Sequence, residues 1–334
     1  MNDLFSLPQS AITTGVSVSA PARLHMGFFD LNGELGRRYG SIGVCLDQPL
    51  VELQAWRLDH GFTAEGPGAA RALNIANALA KALNLRQGMH MQILQTIPEH
   101  AGLGAGTQMS LAVGLAMSSL YSLNLTARDV ATLTQRGSRS GIGIGTFTQG
   151  GVIIDGGRGS NTDVPPVIAR ADFPDDWRII LIQDNSHTGV HGELEAEAFR
   201  TLPKFPAALA ANLCRLVLMQ ALPALAERHL PAFGAAIREL QACTGDHFAP
   251  VQGGRYASPK VGSVMQWLDS QHASCFGQSS WGPTGFTIVE NEVQAREQLM
   301  MLQTTFPELT FLLCKGRNTG GILCDINNRK NKKS

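Results

Sequence analysis

The order of apolar and polar residues predicts both strands and helices along the chain. Alternating apolar and polar side chains, the pattern of a half-buried strand, occur at residues 16–20, 51–58 and 89–97. Apolar residues three and four positions apart predict a helix over 69–85, whereas 106–123 is apolar around most of its circumference and is expected to be buried. Because strands and helices follow in runs rather than in regular βαβ alternation, we predict an α+β fold.

The same patterns give the expected elements and their division into domains. Strands are predicted at residues 16–20, 51–58, 89–97, 152–155, 177–183, 286–290 and 310–314. Helices are predicted at 69–85, 106–123, 126–137 (capped by Thr126), within 193–243, and at 259–270 and 292–304. A chain of 334 residues is long enough for two domains. The turn-rich segment 160–174 is expected to separate a domain at 15–165 from one at 175–325.

The composition narrows the classes of partner. Because 27 basic side chains balance 27 acidic ones, nothing favours a nucleic acid or an anionic membrane surface as partner. The N-terminus lacks the pattern of a signal peptide, and serines interrupt the apolar run at 110–123, so we expect no membrane span. The six cysteines form no CxxC pair, and reduced thiols in a cytoplasmic protein are expected. What stands out is an excess of glycine, 36 residues, with only 16% charged residues.

Three glycine-rich segments contain the candidate chemistry. The first, 98–107, opens the apolar helix, where free backbone amides suit a phosphate, although a tight turn is the alternative. It lacks the Gly-Lys-Ser/Thr ending of a Walker loop. The second, 136–151, adds Arg136 and Arg139, which suit phosphate or carboxylate unless the segment is a solvated loop. The third, 277–285, offers hydroxyls, amides and a tryptophan ring.

These segments resemble the motifs of a known superfamily. Ala20-Pro-Ala-Arg-Leu-His-Met-Gly27 is similar to the first motif of the GHMP kinases, 98–107 resembles their phosphate loop, and 277–285 their C-terminal glycine motif. The order and spacing of the three motifs extend over most of the chain. The resemblance implies a ribosomal-S5-like N-terminal domain, a ferredoxin-like C-terminal domain, and a site between them.

The chain departs from the kinase pattern at the residues that transfer phosphate. Where the kinase loop ends in two serines, this chain has Ala105 and Gly106, and Thr107 is the nearest hydroxyl. Where mevalonate kinases have Ser-Gly-Ile-Asp, with the Asp as base, this chain has Ser140-Gly-Ile-Gly143. A missing carboxylate cannot take a proton from an acceptor hydroxyl. The phosphate-binding frame is therefore present without the kinase base.

One branch of the superfamily, the β-ribofuranosylaminobenzene 5′-phosphate synthases, resembles this chain at 136–143, 150–157, 185–193 and 279–284. The resemblance implies coupling of 4-aminobenzoate to 5-phosphoribosyl 1-pyrophosphate with release of carbon dioxide and pyrophosphate, in tetrahydromethanopterin biosynthesis. It also implies Mg²⁺, no organic cofactor, and a homodimer. The sequence does not distinguish 4-aminobenzoate from 4-hydroxybenzoate. An ATP-dependent GHMP kinase of a small molecule and a non-catalytic binding protein are the alternatives.

The reaction of such a synthase does not require the aspartate that Gly143 replaces. Pyrophosphate must leave while positive charge develops on the sugar, and its stabilisation is mainly electrostatic. The ring carbon that attacks already carries the carboxylate, so the ring recovers aromaticity by losing carbon dioxide rather than a proton. Such an enzyme does not need the kinase base, and Gly143 in its place favours the synthase over the kinase.

Candidate site residues follow from these motifs, each with a structural alternative. The catalytic candidates are Arg23, His25, Arg139, His187, His191 and Glu193. The candidates for phosphate or pyrophosphate are Gly102, Gly104, Gly106, Thr107, Arg136, Ser279 and Ser280. Trp281 is the candidate for stacking on the aromatic substrate or is a packing residue, and Thr107 and Glu193 are the candidates for Mg²⁺. Arg23 is otherwise an ion-pair residue, and Glu193 a carboxylate favoured by a helix dipole. His187 and His191, four residues apart, lack the HExxH pattern of a zinc site.

Overall fold

A long antiparallel hairpin organises the first of two sheets. The computed structural model describes residues 15–189 and 192–326, and within it β1 (Gly15–Asp30) pairs with β3 (Gly40–Leu58). Both strands have more buried positions than a half-exposed strand would, because helices cover one face and the second domain meets the other. The other strands of this sheet are β4 (Phe62–Glu65), β5 (Gly88–Gln95), β6 (Val152–Asp155), β8 (Val167–Ala171) and β13 (Ile322–Ile326). Its seven strands lie in the order β13-β1-β3-β5-β4, with β6 on β3 and β8 on β6. Two short strands, β2 (Arg37–Arg38) and β7 (Arg158–Gly159), pair with each other.

Both predicted domain limits need correction. β8 lies beyond residue 165, yet it pairs with β6 in the first sheet. β13 lies at the end of the predicted second domain, yet it pairs with β1, with Gly15 opposite Ile326. The chain therefore returns to its first sheet after completing the second, a long-range pairing that short sequence patterns do not reveal.

Four helices cover the first sheet, and one of them occupies the centre of the core. They are α1 (Ala69–Leu83), α2 (Ala105–Tyr121), α3 (Ala127–Leu133) and α4 (Ile142–Gln149). The predicted buried helix corresponds to α2, twelve of whose residues are buried. Thr126 caps α3 as predicted, because its hydroxyl accepts the amide of Asp129 and the Asp129 carboxylate accepts the amide of Thr126.

The second glycine-rich segment contains a helix rather than only a loop. α4 is buried over most of its length against β3 and β6. A β-carbon at Gly145 would lie 2.7 Å from Ile153 and 2.9 Å from Val167, so glycine lets this helix approach the sheet closely. Glycine therefore serves close packing here, at a position where its helix propensity is unfavourable.

The second sheet has the ferredoxin-like order expected from the resemblance. Its strands β9 (Arg178–Gln183), β10 (Cys275–Gln278), β11 (Gly285–Val289) and β12 (Thr310–Cys314) lie antiparallel in the order β10-β11-β9-β12. That order is 4-1-3-2 read from its other edge, the arrangement of a βαββαβ unit. Its helices are α5 (Gly192–Thr201), α6 (Ala207–Leu216), a π-helical turn (Val217–Ala221), α7 (Leu222–Ala226), α8 (Leu230–Gln252), α9 (Pro259–Ser270) and α10 (Glu292–Thr305).

One helical run in the described part of the chain is long and apolar enough to cross a membrane. This run, Ala207–Ala226, has a mean hydropathy of 1.5, and about a third of it is buried in the protein. The apolar run that the sequence analysis weighed as a membrane span was a different segment, 110–123, most of which lies in the buried helix α2. A single apolar helix of this kind is also common in the cores of soluble proteins.

Candidate functional site

Backbone amides at the start of α2 form the centre of the site. α2 begins at Ala105, directly after Gly104, and both Gly102 and Gly104 have left-handed backbone conformations. A β-carbon at Gly102 would lie 2.5 Å from the carbonyl oxygen of Ser279, so a larger residue there would separate the two loops. The first turn of α2 carries no acidic side chain. No side chain caps its first amides either, so these amides and the helix dipole are available to an anion.

Two of the predicted arginines lie directly over this helix start. A β-carbon at Gly104 would be 3.3 Å from Arg23, and one at Gly106 would be 3.3 Å from a guanidinium nitrogen of Arg136. Arg23 donates to the carbonyl of Gly102, which holds the guanidinium beside the loop. Burial lowers the pKa of Arg23 to about 10, and this arginine is still protonated at neutral pH. We call Gly102–Thr107 with Arg23 and Arg136 the anion cradle.

The start of α4 meets the start of α2 beside the cradle. Gln108 donates through its side chain to the carbonyl of Gly143 at 2.8 Å. A β-carbon at Gly143 would lie 3.2 Å from the Thr107 methyl carbon, so the two residues are in direct contact. The position where mevalonate kinases have their base therefore adjoins the cradle, and it carries no side chain.

The third glycine segment joins the cradle to β1 through Ser279 and Ser280. The Ser279 hydroxyl donates to the carbonyl of Gly102 at 2.7 Å and accepts the amide of His25 at 3.1 Å. The Ser280 amide donates to the carbonyl of His25 at 3.1 Å. The Ser279 hydroxyl thus holds the loop against β1. Phosphate binding by Ser279 and Ser280 stays a prediction.

His25 is a neutral, buried histidine next to the cradle. Only 1% of its surface is exposed, and among the described residues neither ring nitrogen has a hydrogen-bond partner. Burial, and then the charge of Arg23, lower the pKa of His25 to about 3. Its ring lies 4.6 Å from that of Phe28, centroid to centroid. A neutral imidazole can both accept and donate one hydrogen bond, and here both capacities are unused.

Aromatic rings cluster beside His25 at the junction of the two domains. The Trp281 ring stacks on Phe248 at 4.0 Å and meets Phe199 edge-on at 5.4 Å. Phe199 also contacts Phe28 and Tyr39 edge-on, at 6.1 and 5.1 Å. Stacking of Trp281 on a substrate stays a prediction, although one face of its ring is already covered. The sequence did not reveal this cluster, because its members are far apart along the chain.

Arg139 pairs with a carboxylate that the sequence did not single out. Its guanidinium lies 2.7 Å from Glu195 on α5 and over the Phe199 ring at 5.0 Å. Glu193, the predicted carboxylate, is exposed on the same helix, and His187 is exposed on the loop before it. His191 lies outside the described residues. Helical periodicity was the available signal, since Glu195 and Phe199 are four residues apart and share one face of α5.

A buried carboxylate holds the turn between Arg139 and α4. Asp155 accepts hydrogen bonds from the hydroxyls of Ser41 and Ser140, at 2.5 and 3.0 Å, and from the amides of Gly141 and Gly157, both at 2.9 Å. Burial raises the pKa of Asp155 to about 6, although these four donors act in the opposite direction. Asp155 therefore holds the backbone at Ser140 and Gly141, directly after Arg139.

Comparison with known proteins identifies the family of this chain. The GHMP kinases N terminal domain family matches residues 70–151, and the GHMP kinases C terminal family matches 221–308. A protein of Archaeoglobus fulgidus named beta-ribofuranosylphenol 5′-phosphate synthase is 34% identical over 316 residues, which cover 90% of this chain and 96% of that protein. A protein of Methanocaldococcus jannaschii with the same name is 34% identical over 305 residues, 83% of this chain and 90% of that protein. This chain belongs to the β-ribofuranosylphenol 5′-phosphate synthase family.

The fold of this synthase-family member is that of the GHMP kinases. Homoserine kinase from Cytophaga hutchinsonii superposes with a TM-score of 0.64 over 96% of this chain and 100% of that chain, at 15% sequence identity. At that identity the likeness concerns the fold alone. The predictions of an α+β, two-domain GHMP fold and of the synthase branch are thus confirmed.

The two predicted magnesium ligands do not form a closed cage in this synthase-family member. Within residues 15–189 and 192–326, no three His, Cys, Asp or Glu side chains lie together as a metal cluster. Thr107 lies at the cradle, whereas Glu193 is exposed on α5. Mg²⁺ commonly takes few ligands from a protein and the rest from phosphate oxygens and water. Thr107 fits that pattern together with a bound pyrophosphate, and Mg²⁺ stays a prediction.

Proposed function

We propose that this chain joins an aromatic acid to 5-phosphoribosyl 1-pyrophosphate, with release of carbon dioxide and pyrophosphate. The product is a β-ribofuranosyl arene 5′-phosphate. The name of the relatives specifies a phenol, which decarboxylative coupling forms from 4-hydroxybenzoate, while 4-aminobenzoate would give the aminobenzene. Both acids carry an electron-donating group opposite the carboxylate, so the ring chemistry is the same.

One observation favours a synthase over a kinase: the anion cradle adjoins Gly143, the position at which mevalonate kinases have their base. Arg23 and Arg136 lie within 3.3 Å of the β-carbon positions of Gly104 and Gly106, where they would bind a polyphosphate. Gly143 touches Thr107 in the same place and supplies no proton acceptor. The site is therefore equipped to stabilise a leaving pyrophosphate, and not to deprotonate an alcohol.

The residues of the chain account for each stage of this reaction. The α2 amides, Arg23 and Arg136 stabilise the charge on pyrophosphate as its bond to ribose C1 breaks. Mg²⁺, when bound, supplies further charge neutralisation on the phosphates. The ring carbon bearing the carboxylate then bonds to C1, and the carboxylate leaves as carbon dioxide, returning its electron pair to the ring. No proton is lost from that carbon, which agrees with Gly143.

The aromatic cluster supports an aromatic acceptor. Phe28, Tyr39 and Phe199 meet edge-on beside Arg139, so a flat ring and a carboxylate would find apolar and cationic surfaces together. An aliphatic alcohol, the acceptor of a small-molecule kinase, would not need the aromatic surface.

The test supplies carboxyl-labelled 4-hydroxybenzoate or 4-aminobenzoate with phosphoribosyl pyrophosphate and Mg²⁺, in the absence of ATP. We expect labelled carbon dioxide and pyrophosphate in equal amounts, and the rates with the two acids decide the substrate. A parallel assay with ATP and an alcohol acceptor that forms ADP, with no carbon dioxide from either acid, would establish the kinase instead.

A variant pair links this activity to the cradle. Arg136→Met should raise the KM for phosphoribosyl pyrophosphate about 10- to 100-fold, because a hydrogen bond to a charged group contributes about 1.5–3 kcal/mol. Arg128→Met, which changes an exposed arginine on α3, is the matched control and should leave KM unchanged.

Three finer properties belong to the same proposal. We infer that the enzyme needs Mg²⁺ and forms a homodimer, both of which follow from the synthase resemblance. We also infer that it works in the cytoplasm, since its six cysteines are free thiols. Activity measured with and without a chelator tests the metal. Mass measurement in solution tests the dimer.

A further inference from the structure

A carboxylate from the second domain reaches the arginines of the site. Glu195 on α5 pairs with Arg139 at 2.7 Å, and each side chain keeps only about a quarter of its surface exposed, 25% and 29%. The negative charge of Glu195 also acts on Arg23, whose pKa it raises against the effect of burial. Glu195 therefore lies within electrostatic reach of both the cradle and Arg139.

One face of α5 holds this carboxylate in place. Phe199 follows Glu195 by one helical turn, and the Arg139 guanidinium contacts both side chains. Phe199 in turn packs against Phe28 and Trp281. The position of Glu195 is thus set by contacts on both sides of the domain junction, as a fixed charge requires.

The proposed reaction needs negative charge as well as positive charge. When the bond from ribose C1 to pyrophosphate breaks, the electron pair leaves with pyrophosphate and the sugar becomes cationic. Arg23, Arg136 and the start of α2 stabilise the leaving anion, and the same positive charges oppose the cation. A carboxylate fixed beside the cradle would reduce that opposition.

We propose that Glu195, and not Glu193, faces the ribose and stabilises the positive charge that develops at C1, an inference that rests on the proposed function. The bond from C1 to the ring carbon forms with a pair of ring electrons, and the bond to the departing carboxylate returns that pair. Glu195 takes no proton and forms no bond. Its contribution is confined to the stage at which the sugar is cationic.

Matched variants on one helix test this role. Glu195→Gln should lower kcat about 100-fold or more, the size of effect measured for other groups that stabilise transition-state charge. The KM for phosphoribosyl pyrophosphate should stay the same or fall, since a negative charge near a polyanion is removed. Glu197→Gln changes an exposed carboxylate two residues further along the same helix and should leave both constants unchanged.

A purely structural ion pair makes a different prediction. If Glu195 only positions Arg139, Glu195→Gln should cause no further loss of kcat in an Arg139→Met background. In our proposal Glu195→Gln lowers kcat in that background by about the same factor as in the wild type. Full kcat in Glu195→Gln, or a rise in KM with kcat intact, overturns the inference while the wild type still releases carbon dioxide. Absence of carbon dioxide from the wild type itself refutes the proposed function.

Discussion

Gly143 lies against Thr107, so that a β-carbon at position 143 would be 3.2 Å from the Thr107 methyl carbon. Thr107 belongs to the first turn of α2, and Gly143 to the first turn of α4, so the starts of two helices converge at this contact. Both helix dipoles favour an anion at this point. Any charge placed on residue 143 would therefore be felt directly by a bound pyrophosphate.

The contact predicts different results for two substitutions of Gly143. Gly143→Ala adds a methyl group that Thr107 accommodates by a shift of a few tenths of an ångström, and the KM for phosphoribosyl pyrophosphate should stay within about threefold. Gly143→Asp adds a negative charge beside the pyrophosphate, which at an effective dielectric of about 20 and a separation of about 5 Å costs roughly 3 kcal/mol. Steady-state kinetics should show KM raised at least tenfold. Equal KM values for the two variants would contradict the placement of pyrophosphate here.

We predict that residue 102 must be glycine because the loop at Ser279 approaches it closely, and not only because its backbone is left-handed. Gly102 and Gly36 both have left-handed backbones, with φ values of 72° and 81°. A β-carbon at Gly102 would lie 2.5 Å from the Ser279 carbonyl oxygen, whereas nothing lies within 4 Å of one at Gly36. Gly36→Ala should thus reduce the free energy of unfolding by about 1 kcal/mol, the strain of a left-handed alanine. Gly102→Ala should reduce it further and weaken phosphoribosyl pyrophosphate binding, as denaturation and calorimetry would show. Equal losses in the two variants would contradict the idea of a close approach.

The anion cradle could be predicted because its glycines lie in one short segment of the sequence. Gly102 and Gly104 follow a strand and precede an apolar helix whose first turn contains Gly106, and a helix start of this type forms an anion site from the backbone alone. Arg23 and Arg136 were added from short motifs, and the structure places both against that helix start.

Glu195 and β13 were not predictable, because each is defined by residues distant in the chain. Glu193 and Glu195 look equivalent at the start of a helix, and only the position of Arg139 distinguishes them. β13 was not among the predicted strands, and its partner is β1, some 300 residues earlier. α4 was missed for another reason, since Gly143 and Gly145 oppose a helix by propensity and tertiary packing overrides that preference.

Asp155 predicts a pH dependence of stability with a definite sign. Burial raises the pKa of Asp155 in the folded protein to about 6, above the ordinary value of 3.8 that applies to the unfolded chain. Between these values the folded state binds the proton and the unfolded state does not, so the contribution of Asp155 to stability increases as pH falls from 7 towards 4. Two pKa units correspond to about 3 kcal/mol.

Comparison with asparagine variants isolates that contribution. The free energy of unfolding, measured from pH 7.5 to pH 4 for the wild type and Asp155→Asn, should differ by an amount that changes through this window. Asp163→Asn, at an exposed carboxylate, should follow the wild type at every pH. A constant difference between the wild type and Asp155→Asn would mean that Asp155 titrates normally.

We predict that replacing His25 with phenylalanine stabilises the protein and lowers its activity. Both of its ring nitrogens are buried without a hydrogen-bond partner among the described residues, and an unpaired buried polar group costs about 1–3 kcal/mol. Because Phe28 lies 4.6 Å away, phenylalanine at position 25 would keep the ring contact and remove the polar cost. His25→Phe should therefore melt at a higher temperature, and if the imidazole binds substrate its kcat should fall at least tenfold. Burial and Arg23 lower the pKa of His25 to about 3, so histidine NMR should show no titration of this ring above pH 5. A more stable variant with full activity would make His25 a packing residue, whereas a less stable one would mean that its nitrogens already have partners.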